Sequence, residues 1–178
     1  MKLRVSLLYW AAAAAIVAAV VSVYFRGGTP QAAGPEGLVG RPAPSFDVPK
    51  LGGGVAGLES YRGKIVVLNL WGTWCPPCRA EMPDLQRLYR QYQSRNVVVV
   101  GVDQGESQTR AGEFAAALGI TYPILIDEQQ QYGRVYAALG MPTTIVVNPA
   151  GTVARAFDGP LTFGQMTAAI TPLLRGTT

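Results

Sequence analysis

Asn69-Leu70-Trp71-Gly72-Thr73-Trp74-Cys75-Pro76-Pro77-Cys78-Arg79 joins two kinds of periodicity. Before it, Lys64–Leu70 (KIVVLNL) is a β-branched apolar run of the kind that forms a buried central strand. After it, Pro76 to about Ser94 reads as a helix, with Leu85, Leu88, Tyr89 and Tyr92 at i, i+3, i+4 and i+7 facing a sheet. The first cysteine therefore sits where a buried strand gives way to a helix. Unpaired N–H groups and the positive end of the helix dipole favour a thiolate there, lowering the pKa of Cys75 below the free-thiol value near 8.5.

Cys78 lies one helical turn further on, close enough to bridge to Cys75. The pattern casts Cys75 as the attacking thiolate and the more buried Cys78 as the resolving thiol. Pro76 and Pro77 fix φ in the first turn, where a missing N–H costs little. They also withdraw two donors from Cys75, which moderates its pKa depression and favours a reducing pair. An inert structural disulfide is the alternative for a bare CxxC. The strand before it, the helix after it and the flanking tryptophans argue against that alternative. Trp71 is expected to pack in the core, and Trp74 to form contact surface beside Cys75.

Composition removes competing chemistry. The 178 residues contain no histidine, which excludes Ser-His and Cys-His nucleophiles and imidazole-bound haem or zinc. Two cysteines cannot form a four-cysteine metal site within one chain, so no metal and no cofactor beyond a redox-active Cys75–Cys78 disulfide is expected. The net charge of +4 is concentrated before residue 45, and the remainder carries 11 Lys/Arg against 10 Asp/Glu. A nearly neutral domain lacks the basic face that nucleic-acid binding requires.

Working outward towards the N-terminus, Leu7–Phe25 is a 19-residue run whose only ordinarily polar member is Ser22. A helix of this length spans about 28 Å, close to a bilayer's hydrocarbon core. Lys2, Arg4 and the α-amino group precede it, and Arg26 follows. This bias predicts a single-pass anchor (residues 1–25) in a bacterial cytoplasmic membrane, with the N-terminus inside and the rest extracytoplasmic. A cleaved signal peptide is the alternative, and export is common to both. Residues 26–44 hold five Gly and four Pro and read as a flexible tether. The soluble domain is expected to span residues 45–178.

Within that domain, short edge strands are expected at Ser45–Val48 and Gly54–Leu58, and a second buried strand at Asn96–Val102. Thr109–Leu118 and Gln129–Leu139 read as helices and Tyr122–Ile126 as a strand between them. A hairpin of Thr143–Asn148 and Thr152–Phe157 follows, and then a helix over Thr162–Thr171 that Pro172 would end. The alternation predicts an α/β three-layer sandwich, its sheet mostly parallel and finished by one antiparallel hairpin.

The segment WGTWCPPCRAEMP, followed by Met141-Pro142-Thr143-Thr144, resembles the thioredoxin superfamily. It is most similar to the membrane-anchored ResA, TlpA and CcmG type, and the likeness extends over about residues 41–174. The resemblance implies a thioredoxin-like mixed sheet flanked by helices, with a helix–strand insertion across Gln104–Ile126. It implies a cis Met141–Pro142 bond holding Met141 beside the cysteines, its backbone free to pair with a substrate strand. It also puts Glu106 at the position of an acidic residue near the active site.

The implied activity is thiol–disulfide exchange on protein partners. Apocytochrome c would be a substrate in cytochrome c maturation, and a membrane thiol transporter the electron donor. Two departures limit the transfer. Asn69 stands where thioredoxin has a buried acid, so proton transfer falls to Glu106, Glu81 or water, and Glu81 is alternatively a surface charge. The dipeptide between the cysteines lacks the Glu of some ResA-like members. A disulfide oxidase or isomerase is an alternative activity, and a tethered binding protein with a structural disulfide is another. A peroxidase is disfavoured because Thr73 lies two residues before Cys75, the wrong spacing for a Pro-x-x-x-Thr-x-x-Cys site.

Overall fold

The computed structural model describes residues 14–19, 22 and 34–175. The expected membrane anchor falls largely outside these residues. Residues 14–19 and 22 are helical, and among the described residues no helix is long and apolar enough to cross a membrane.

Gly34 to the C-terminus forms one unit built on five strands in the order β5-β4-β3-β6-β7. These are β3 (Ile65–Trp71), β4 (Val97–Gln104), β5 (Ile124–Asp127), β6 (Thr143–Val147) and β7 (Val153–Asp158). A separate small ribbon pairs β1 (Val48–Pro49) with β2 (Val55–Ala56). The helices are α1 (Pro76–Tyr92), α2 (Gln108–Ala117), α3 (Gln131–Val135) and α4 (Phe163–Leu174).

The central strand β3 is buried along its whole length, as is β4, which explains their unbroken apolar runs. Alternate side chains feed two cores. Ile65, Val67 and Trp71 join Met82, Leu85 and Leu88 of α1 and Met166 and Ile170 of α4. Val66, Leu68 and Leu70 join Tyr132 and Tyr136 on the opposite face. The result is the thioredoxin-like sandwich. The insertion across Gln104–Ile126 contains α2 and β5, with β5 as the parallel edge strand.

The sheet is as expected: β4 and β5 run parallel to β3, and the antiparallel β6–β7 hairpin finishes it, β6 alone running against the other four strands. Three expectations need correction. Residues 34–44 are not tether. Pro35 is buried, and Val153 is bracketed by Gly40 N–H donating to its carbonyl and its own N–H donating to Arg41, both at 2.9 Å. Isolated bridges need neither a hydrophobic period nor a continuous strand, so Gly and Pro did not preclude docking. The helix near Tyr132 is only five residues long, because Ala137 adopts a positive φ of 50°. Pro172 lies inside α4 and does not end it before Leu174.

Candidate active site

β3 and β4 end side by side, with Trp71 paired in register with Asp103. The site forms where the chain leaves these two strand ends. Gly72 and Thr73 carry it from β3 to Cys75, whose N–H donates to the Gly72 carbonyl at 3.1 Å. Cys75 is the N-cap of α1 in an extended conformation, and its Sγ accepts from the Cys78 N–H at 3.2 Å. This is one of the donors a helix N-terminus leaves free. Pro76 and Pro77 occupy the first helical positions and have no N–H to offer.

Cys75 and Cys78 are joined by a disulfide, with Cα atoms 5.3 Å apart. Both are buried, Cys75 being 3% exposed and Cys78 1%, so in this oxidised form their burial differs little. Trp74 beside them is 53% exposed, and its Nε1 donates to the Gln104 carbonyl at 3.4 Å. Trp71 is fully buried against the Phe114 ring, 6.0 Å between centroids. The Met141–Pro142 bond is cis, and Met141 is half-buried against both cores.

Two buried acids flank the pair. Glu81, one turn beyond Cys78, lies on the buried face of α1 with Met82 and Leu85. Its surface-charge reading is therefore excluded. Asn69, at the position of thioredoxin's buried acid, donates to Thr144 Oγ1 at 3.0 Å and to Glu81 Oε1 at 3.4 Å. Burial pushes Glu81 up to about 7, with the Asp84 charge adding and the neighbouring Leu161 amide and Thr144 hydroxyl opposing. The acid missing from β3 is thus supplied from α1, within reach of Asn69.

Glu106 lies on the other side of the site and is also buried. Its carboxylate accepts from Thr73 N at 2.5 Å, Thr73 Oγ1 at 2.6 Å and Arg110 Nε at 2.5 Å. Burial opposes its ionisation, but these donors, with Asp103, outweigh burial and hold its pKa below the ordinary carboxylate range. Asp103 is pushed the opposite way, to about 8, by burial and the adjoining Glu106 charge. The charge of the pair is therefore favoured on Glu106 over Asp103. Through Thr73, Glu106 holds the loop that leads to Cys75. Sequence reasoning missed Asp103, because a strand buried on both faces has no alternation to mark which way a polar residue at its end points.

Among the described residues, no three His, Cys, Asp or Glu side chains converge in a way that could hold a metal ion. The arrangement can cycle two thiols and a disulfide next to an acid that titrates near neutrality.

Residues 39–156 match the model of the AhpC/TSA family. The chain belongs to that family. Among its relatives, the thiol-disulfide oxidoreductase ResA of Geobacillus thermodenitrificans is 41% identical over 124 residues, 70% of this chain and 71% of its own length. ResA of Bacillus subtilis is 35% identical over 123 residues, covering 69% of each chain. A thiol:disulfide interchange protein of the thioredoxin family from Chlorobium tepidum superposes with a TM-score of 0.67 at 29% identity, covering 75% of this chain and 95% of its own. A DsbF homologue from Corynebacterium diphtheriae gives 0.69 at 31%, covering 75% and 87%. This AhpC/TSA member is a thiol–disulfide oxidoreductase whose CxxC pair is Cys75 and Cys78.

Proposed function

We propose that the protein reduces disulfides of partner proteins outside the cytoplasm, in cytochrome c maturation, from an anchor at residues 1–25. In the reduced protein, the Cys75 thiolate attacks one sulfur of the partner's disulfide. A Cys75–partner disulfide forms and the partner's other sulfur leaves as a thiolate, which takes a proton from solvent. Cys78 passes its proton to the Glu81 carboxylate, and the resulting thiolate attacks Cys75 Sγ. The second partner sulfur leaves as a thiolate and takes a proton from solvent, to which Glu81 returns the one it received. The partner gains two electrons and two protons, and the Cys75–Cys78 disulfide re-forms. A membrane thiol transporter then returns two electrons through dithiol exchange. The disulfide is the only redox centre in this cycle, and no prosthetic group takes part.

The direction rests on one observation: Pro76 and Pro77 leave the Cys78 N–H as the donor from the first turn of α1 to Cys75 Sγ. A thiolate with few donors is a poor leaving group, and its reduced form is not over-stabilised, so the pair is reducing. Equilibration in dithiothreitol redox buffers tests this. The expected potential lies near that of thioredoxin, about −270 mV, and far from the oxidant DsbA at about −120 mV. A value at the DsbA end would assign the protein to disulfide formation instead.

A further inference from the structure

Beside the Thr73-Trp74-Cys75 loop lies a shallow groove of about 320 Å³ lined by Thr73, Arg110, Glu113 and Phe114. Two exposed guanidinium groups border it. Arg79, the residue after Cys78, sits over the Phe114 ring, its Cζ 5.6 Å from the centroid. Arg110, one helical turn before Phe114, uses its Nε for Glu106 and for Thr73 Oγ1, the latter at 3.0 Å. Glu106 is buried and saturated by these donors, so only Arg110 is partly neutralised. Among the described residues Arg79 has no carboxylate within ion-pair distance, and exposed Glu113 pairs with neither arginine.

We infer that this groove binds an acidic side chain of the partner polypeptide, close in sequence to its reacting cysteine, through Arg79 and Arg110. The inference rests on the exchange activity but not on its direction, because partner and enzyme form the same mixed disulfide either way. Guanidinium forks suit a carboxylate. The half-buried Phe114 ring holds one fork in place, while exposed Trp74 provides an apolar wall for the partner backbone next to the sulfurs. Arg79 and Arg110 lie on different helices that share the Cys75 loop, so their charges converge on whatever is joined to Cys75. Glu113 counters them and sets the strength of the preference.

The test uses the full-length chain, reduced, with two disulfide-linked peptides that differ only in Glu or Lys two residues from the cysteine. Bis(2-hydroxyethyl) disulfide, which is neutral, normalises each protein for the reactivity of Cys75. The Glu peptide is expected to react about three- to fivefold faster than the Lys peptide at low salt, the range of an exposed ion pair. Arg79→Gln should shrink that ratio towards one and Glu113→Gln should widen it, while 0.5 M salt should reduce it. Equal rates for the two peptides would overturn the groove, as would a ratio unchanged in Arg79→Gln. If the neutral disulfide itself failed to oxidise the pair, the exchange reading would fall and the groove with it.

Discussion

Burial lifts Glu81 to about 7 from its ordinary 4.5, so between those values the folded chain holds a proton that the unfolded chain has released. The native state binds more protons in this window, and stability therefore falls as pH rises through it. The stability is complete below about 4.5, and the loss is complete above about 7. The full difference corresponds to about 3 kcal/mol. Glu81→Gln keeps the shape and an acceptor for Asn69 while removing the charge. Urea unfolding of the oxidised protein should show the variant more stable than the wild type at pH 8 and close to it at pH 4. Identical pH slopes in the two proteins would mean that Glu81 is solvated. The position of Glu81 was legible in the helix phase, since Cys78, Glu81, Met82 and Leu85 share one face. Its partnership with Asn69 was not, because Asn69 and Glu81 meet only after β3 and α1 pack.

The segment between β3 and α1 is held from outside itself. Thr73 N–H and Oγ1 both donate to Glu106, which follows β4, and Trp74 Nε1 donates to the Gln104 carbonyl. Glu106 is in turn fixed by its own N–H donating to Asp103 Oδ1 at 3.1 Å. Thr73→Val removes the hydroxyl contacts to Glu106 and Arg110 but keeps the branched shape. It should cost about 1–2 kcal/mol, since a buried charged acceptor loses a donor. Amide hydrogen exchange of residues 72–75 should accelerate, while exchange in β3 stays slow. Unchanged exchange in the loop would place the clamp in the backbone N–H alone. The elements that define the sheet could be read from the apolar runs at Lys64–Leu70 and Asn96–Val102, because strands buried on both faces carry no competing polar signal. The direction of β6 could not, since a strand's orientation depends on the connection and leaves no mark in its five residues. The short helix at Gln131–Val135 was overextended for a similar reason: the left-handed residue that stops it is Ala137, not a glycine.

At the scale of the molecule, the ends of β3 and β4 and the head of α1 set the Cys75–Cys78 pair next to exposed Trp74, with both cysteines buried in the oxidised form. The thioredoxin-like frame was legible because CxxC stood between a buried strand and an amphipathic helix. The N-terminal boundary was not, because residues 34–44 join the fold through scattered bridges to Val153 and Gly151 rather than through a periodic element. The central claim is that Cys75 attacks and Cys78 resolves. Mixed-disulfide trapping tests it most directly: reduced Cys78→Ser and Cys75→Ser variants are each mixed with a disulfide-bonded protein, and the adducts are mapped by mass spectrometry. Cys78→Ser is expected to accumulate a stable adduct on Cys75, while Cys75→Ser yields none on the same timescale. An adduct forming on Cys78 at a comparable rate would contradict the assignment.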